Sequence, residues 1–183
     1  MSAVTFFLEA LRDRHVAAPL PSSRFLVRRL VRHLDLPDIR TVVELGPGEG
    51  SATLPLLRHL RQDARYIAVE RNPRFAERLR SIDDRRLKVV EGDARRMTPL
   101  LEEVGVREAD AVIASIPFTL LNGPDRRQLV RAAHDLLRPD GKIVIFHQYS
   151  PLMFPYLKRE FRKLKTEFEP LNILPCWLIA GTR

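Results

Sequence analysis

Five short runs of nearly unbroken aliphatic residues recur along the chain: "TVVELG" (41–46), "RYIAVE" (65–70), "LKVVEG" (87–92), "DAVIAS" (110–115) and "KIVIFHQ" (142–148). A strand with one wet face alternates apolar and polar residues, so runs without that alternation are strands buried on both faces. Segments with helical spacing lie between them at 51–62, at 73–82 and, more briefly, around 97–104. A last one, 124–138, stops at "PDG" (139–141). Pro73 suits the first turn of its helix, where the missing N–H costs nothing. This alternation predicts an α/β protein whose parallel sheet is covered by helices on both faces. Two helices, 3–15 and 22–34, precede the first strand, and Ser22 or Ser23 can cap the second. A basic helix at 155–165 and two extended segments near 166–172 and 175–181 follow the fifth strand and can close the sheet as a hairpin. The expected organisation is one domain over 1–183, with a helical extension (1–36) and a core (41–183).

Composition narrows the setting. A chain of 183 residues with 45% hydrophobic and 30% charged residues can bury a real core. Its longest apolar stretch, 111–121, is too short to span a bilayer and contains Pro117. The N-terminus lacks a signal-peptide layout, and the single cysteine, Cys176, cannot form an internal disulfide. The expected location is cytoplasmic. The net charge of +8 favours polyanions, either nucleic acid or the anionic face of a membrane.

The turn after the first strand, "GPGEG", places glycines at 46, 48 and 50 of a chain that has only eight. In an open parallel sheet this is the usual position for a nucleotide-type cofactor. Gly46 and Gly48 allow close backbone approach, and Gly50 lets the helix start near the sheet. The pattern is neither the dinucleotide G-x-G-x-x-G nor a phosphate loop with Lys-Ser/Thr. Acids at Glu44 and Glu49 would repel a pyrophosphate but suit a cationic ligand. Glu70 ends the second strand, where an acid can accept from both hydroxyls of a ribose. Asp93 follows the third strand, placed to accept from an exocyclic amine. Singly, each is an ordinary strand-end acid; together they describe a site for adenine, ribose and a positively charged tail, as in S-adenosylmethionine.

"VVELGPGEG", "VERN", "EGDAR" and "ASIPF" resemble the successive motifs of class I S-adenosylmethionine-dependent methyltransferases, over residues 41–148 and, less strongly, to the C-terminus. The resemblance implies a Rossmann-like seven-stranded sheet of order 3-2-1-4-5-7-6, with strand 7 antiparallel. It implies that Glu44 and the Gly46–Gly50 turn serve the methionine part, Glu70 and the adjoining Arg71 the ribose side, and Asp93 with the Ala94 backbone the adenine. Residues Ser115, Ile116, Pro117 and Phe118 would line the methyl-transfer site, and S-adenosylhomocysteine would be the product.

Two branches share "ELGPGxG": rRNA adenine dimethyltransferases and bacterial phospholipid N-methyltransferases. The RNA branch carries Asn or Asp where this chain has Ser115, and it usually adds a helical C-terminal domain. The lipid branch is similar in length, in the "PSS" segment, in the S-x-(L/I)-P turn, in "QYSP" (148–151) and in "LNILP" (171–175). The resulting expectation is N-methylation of phosphatidylethanolamine or its methylated derivatives by an enzyme peripherally bound to an anionic membrane. RNA methylation ranks second, and a non-catalytic cofactor-binding module third.

Apolar anchors flanked by arginines suit a helix lying in an anionic interface. Phe6, Phe7 and Arg12 on the first helix fit that description, and the expectation is a mobile helix that covers the cofactor and touches lipid. Arg24 on the second helix is a further membrane candidate, although for that helix packing on the sheet is the preferred reading. Tyr149 and His147, beyond strand five, are candidates to handle the acceptor amine, with Tyr149 preferred because its ring can also face a methylated ammonium. His15, His33, His59 and His134 fit surface roles, and no Cys/His cluster has metal-ligand spacing.

Overall fold

The computed structural model describes residues 22–148 and 151–183. Seven strands form one sheet in the order β3-β2-β1-β4-β5-β7-β6. They are β1 (Thr41–Leu45), β2 (Arg65–Glu70), β3 (Leu87–Glu91), β4 (Ala109–Ala114), β5 (Leu137–Gln148), β6 (Lys163–Glu169) and β7 (Cys176–Thr182). Strands β1 to β5 pair in parallel, and β7 runs antiparallel to both β5 and β6. The expected order and the reversed strand 7 are both present.

Two apolar layers sandwich the sheet because successive side chains of each strand point to opposite faces. On one face, Val43, Leu45, Val112, Ile143 and Ile145 pack under α4 (Met97–Glu103), α5 (Gly123–Leu136) and α6 (Phe154–Glu160). On the other, Val42, Tyr66, Ile113, Val144 and Leu178 pack under α1 (Arg24–Leu34) and α2 (Thr53–Leu57). Helix α3 (Pro73–Arg80) starts from an Asn72 cap and buries Phe75, Ala76 and Leu79.

Helix α1 takes the packed reading. Leu26, Val27, Leu30 and Leu34 recur every three to four residues and are buried, while Ser23 caps the helix by accepting from Leu26 N–H. Its Arg29 is not free for a membrane, since it pairs with Glu167 and Glu169 of β6 at 2.5 Å each.

Three expected elements are revised. The basic helix at 155–165 ends at Glu160; Phe161 is extended and buried, and Lys163 and Lys165 stand exposed on β6. Pairing of β6 along β7 overrides the local helical pattern there. The helix at 51–62 shrinks to α2, flanked by turns. The "PDG" stop becomes a bulge inside β5: Asp140 takes φ +62°, and the pairing with β4 shifts between Ala109 and Ala111.

Candidate functional site

All five parallel strands end at the same edge, and the chain turns sharply after β1. Gly46, Gly48 and Gly50 have φ of +74°, +59° and +82°, a region that residues with a Cβ rarely adopt. A Cβ on Gly46 would lie 2.7 Å from Ile116 Cγ2, so the turn is pressed against the exit of β4. A Cβ on Gly48 would meet nothing within 4 Å, so this backbone borders open space. Ser115 fastens the two loops together: its N–H donates to Leu45 O (3.0 Å) and its hydroxyl to Gly46 O (2.7 Å). That hydroxyl proton holds the turn, which makes Ser115 a positioning residue in this geometry.

Glu70 closes β2 and is nearly buried. Its Oε2 accepts from Gly48 N–H (2.9 Å) and its Oε1 from Asn72 N–H (2.8 Å). Both bonds are charge-assisted and hold the carboxylate beside the open glycine. Arg71, next in sequence, is exposed.

Glu44 lies on the α1/α2 face of β1 and is wholly buried. Its Oε2 accepts from Thr53 Oγ (2.5 Å) at the start of α2 and from the Tyr66 hydroxyl (2.7 Å) on β2. Its Oε1 is buried and has no hydrogen-bond partner among the described residues. Burial pushes this carboxyl up to about 7, against the lowering effect of Thr53 and Tyr66. A cation placed at Oε1 would favour the ionised form.

Asp93 caps the short turn Ala94–Arg96 through Arg95 N–H (2.9 Å) and is clamped by the Arg95 guanidinium, at 2.6 Å from Nη2. That hydrogen-bonded cation holds the carboxyl below the usual aspartate range. Arg95 also reaches Asp125 at 3.4 Å. Ala94 is buried beside it. Glu49 is bonded to Arg78.

Past β4, Ile116 and Pro117 are half-buried, but Phe118 is fully buried, its ring edge-on to His147 at 5.9 Å. Phe118, expected with residues 115–117 to line the methyl-transfer site, turns its ring into the core, and the turn Phe118–Leu120 leaves Leu120 outside. His147 is buried near the end of β5. Arg24 is exposed over the Phe25 ring, 4.9 Å from its centroid. Phe6, Phe7, Arg12 and Tyr149 lie outside the described residues.

The structure thus brings Gly46, Gly48, Glu70, Ser115 and Ile116 into one hydrogen-bonded and packed set, with Glu44 two residues before the turn and held by Thr53 and Tyr66, and Asp93 on the neighbouring strand end. Sequence reasoning missed Thr53 and Tyr66, the supports of Glu44. A tyrosine inside an otherwise aliphatic strand was the available signal, because a buried hydroxyl needs a partner. It also missed the link from the glycine turn to the far side of the sheet. Ser22 N–H donates to Ser51 Oγ (3.0 Å), and Ser23 N–H donates to Asn172 Oδ1 (2.8 Å) between β6 and β7.

Comparison with known proteins agrees with this geometry. Residues 42–141 match the family model of a methyltransferase domain. Over 165 residues the chain is 34% identical to ornithine lipid N-methyltransferase of Singulisphaera acidiphila, covering 87% of this chain and 84% of that protein. It is 40% identical over 101 residues to ribosomal RNA small subunit methyltransferase A of Thermobifida fusca, covering 51% of this chain and 33% of that protein. Among solved structures, the N-methyltransferase NodS from Bradyrhizobium japonicum shares the fold, with a TM-score of 0.71, 15% identity and coverage of 86% of this chain and 93% of that one. Strand order and family match together define a class, the enzymes that transfer a methyl group on a seven-stranded Rossmann-like sheet. The chain belongs to the S-adenosylmethionine-dependent methyltransferases, and its cofactor is S-adenosylmethionine. The residues present fit that cofactor: an open glycine backbone, a carboxylate braced beside it, and a buried carboxylate oxygen without a partner.

Proposed function

We propose that this methyltransferase N-methylates the amine headgroup of a membrane lipid, phosphatidylethanolamine or its partly methylated forms, with ornithine lipid as a second acceptor to test. The observation that carries this reading is likeness along nearly the whole chain to a lipid N-methyltransferase. The likeness to an rRNA methyltransferase is confined to a third of that protein. Ser115 also stands where the RNA branch carries Asn or Asp.

The cofactor supplies an activated methyl group, so the protein's work is binding and alignment. In this proposal Glu70 accepts from the ribose hydroxyls while keeping Gly48 in place. Asp93, shared with Arg95, and the Ala94 backbone meet the adenine. Glu44 Oε1 faces the cationic end, and Arg71 flanks the ribose side. Ser115 holds the glycine turn, and Ile116 and Pro117 border the acceptor. An alkylammonium headgroup, with a pKa of roughly 10 like that of lysine, must lose a proton before it attacks. His147 and Tyr149 are the side chains proposed to receive that proton or hold the headgroup.

Product mass spectrometry tests the reading. The protein and cofactor are incubated with anionic vesicles containing phosphatidylethanolamine, with vesicles containing ornithine lipid, and with an RNA pool. The expected result is methylated amine lipid. Methylated RNA with unmodified lipid would move the assignment to the RNA branch. No methylated lipid despite confirmed cofactor binding would refute the lipid reading.

A further inference from the structure

The described residues leave five large apolar side chains exposed: Leu54 (42%), Leu120 (51%), Phe168 (45%), Leu171 (59%) and Ile173 (55%). Single exposed leucines need no explanation, but their placement here is not scattered. Leu54 sits in the first turn of α2, just past the glycine turn, and Leu120 in the turn that follows β4. Register places the other three. Glu169 of β6 pairs with Cys176 of β7, which pairs with Gln148 at the end of β5. The connection 170–175 therefore projects beyond the strand ends that carry the glycine turn. Phe168 is one residue inside that end. All five lie at the edge that holds the cofactor site.

The connection is presented rather than frayed. Asn172 is buried, receives Ser23 N–H at 2.8 Å and donates to Leu174 O at 2.9 Å. The residues on either side, Leu171 and Ile173, are thereby turned outward. Exposed cations occupy the same edge: Arg24 at the start of α1, Arg71 and Arg74 after β2, and Arg96 after β3, while Arg95 beside them is paired with Asp93 and Asp125. Apolar tips on two separate loops and at the start of α2 do not form a shaped groove for a protein ligand. They match a fluid apolar layer beneath a plane of phosphates, with guanidinium groups at the level of the anions.

We infer that the strand-end edge docks directly on an anionic lipid bilayer, with Leu171, Ile173 and Leu120 entering it and the arginines on its surface, so that the cofactor site opens toward the membrane. This rests on the lipid reading above and adds the orientation of the enzyme on its substrate surface. Docking and acceptor are separable by experiment. Flotation of the full chain with vesicles of phosphatidylglycerol and phosphatidylcholine, which contain no amine acceptor, reads docking alone. The wild type is expected to float with these vesicles. The double variant Leu171→Glu/Ile173→Glu should lose at least tenfold in partition, with cofactor affinity within twofold of wild type by calorimetry. Leu120→Glu, on a separate loop, should lose severalfold and serves if the double variant misfolds. Conservative Leu171→Met/Ile173→Val should float like the wild type. A wild type that does not float overturns the inference. So do glutamate variants that float like the wild type. Vesicle docking with no lipid methylated would leave the docking edge standing and remove the lipid acceptor.

Discussion

The two edges of the sheet handle polar groups in opposite ways. At the edge where the parallel strands begin, charges are closed off. Asp110 accepts from Arg40 N–H (2.8 Å) and Thr41 N–H (2.7 Å) and pairs with Arg138 at 2.6 Å. Lys142 binds Asp35, and Arg183 donates to Leu137 O. A cavity of about 430 Å³ opens there between Arg65, Arg85, Arg86 and Lys88, but Arg86 is bound to Asp84 and to the carbonyls of Leu60 and Arg61. At the edge where the strands end, a carboxylate oxygen of Glu44 is left unmatched and leucines face outward; left-handed backbone occurs at both edges, at Gly46, Gly48 and Gly50 here and at Asp35, Gly105 and Asp140 there. The first edge is built to hold the sheet together. The second keeps local costs that a ligand can offset, as expected of a functional site.

Substitutions sharpen this contrast. The largest effect is expected for Gly46→Val, whose side chain is strained at φ +74° and collides with Ile116; cofactor binding measured by calorimetry should be lost. Next is Glu44→Gln. A carboxyl whose folded pKa lies above its unfolded value adds nothing adverse below the unfolded value near 4.5, and its burial cost accrues as pH rises to about 7. The wild type should therefore lose about 3 kcal/mol between those limits, and the glutamine variant should not. Urea midpoints across pH 4.5 to about 8 check the sign. Asp110→Ala orphans two N–H groups and should lower stability by about 2 kcal/mol while leaving cofactor affinity unchanged. Glu70→Ala should do the reverse at the binding level, weakening cofactor affinity at least tenfold. The smallest effect is expected for Ser115→Ala, where loss of one hydrogen bond to Gly46 O costs about 1 kcal/mol and a few-fold in cofactor affinity.

The same two edges explain what the sequence revealed. Strands β1, β2, β4 and β5 were legible because burial on both faces leaves continuous aliphatic runs, and the strand order followed from the family resemblance; β3 lies at the sheet's edge with only Val90 buried and Lys88 and Glu91 exposed, so its expected burial on both faces is not met. The glycine turn and the acids at 44, 70 and 93 were legible because each sits at a strand end, where backbone geometry restricts residue choice. Strand β6 was not. "KLKTEFE" carries charges on both sides, and only pairing along β7 makes it extended. The supports of the site were equally hidden, because they join residues far apart in the chain. Tyr66 meets Glu44 from the neighbouring strand, and Asn172 meets Ser23 across the sheet. The burial of Phe118 was not legible because a turn residue next to a proline can point either way, and its ring packs beside His147.

The most direct test is calorimetric titration of S-adenosylmethionine into the wild type, Glu70→Ala and Asp110→Ala under one set of conditions. The account predicts at least tenfold weaker binding for Glu70→Ala, and binding within twofold of wild type for Asp110→Ala despite its lower stability. Unchanged affinity in Glu70→Ala, or a loss confined to Asp110→Ala, would contradict the placement of the cofactor at the strand-end edge.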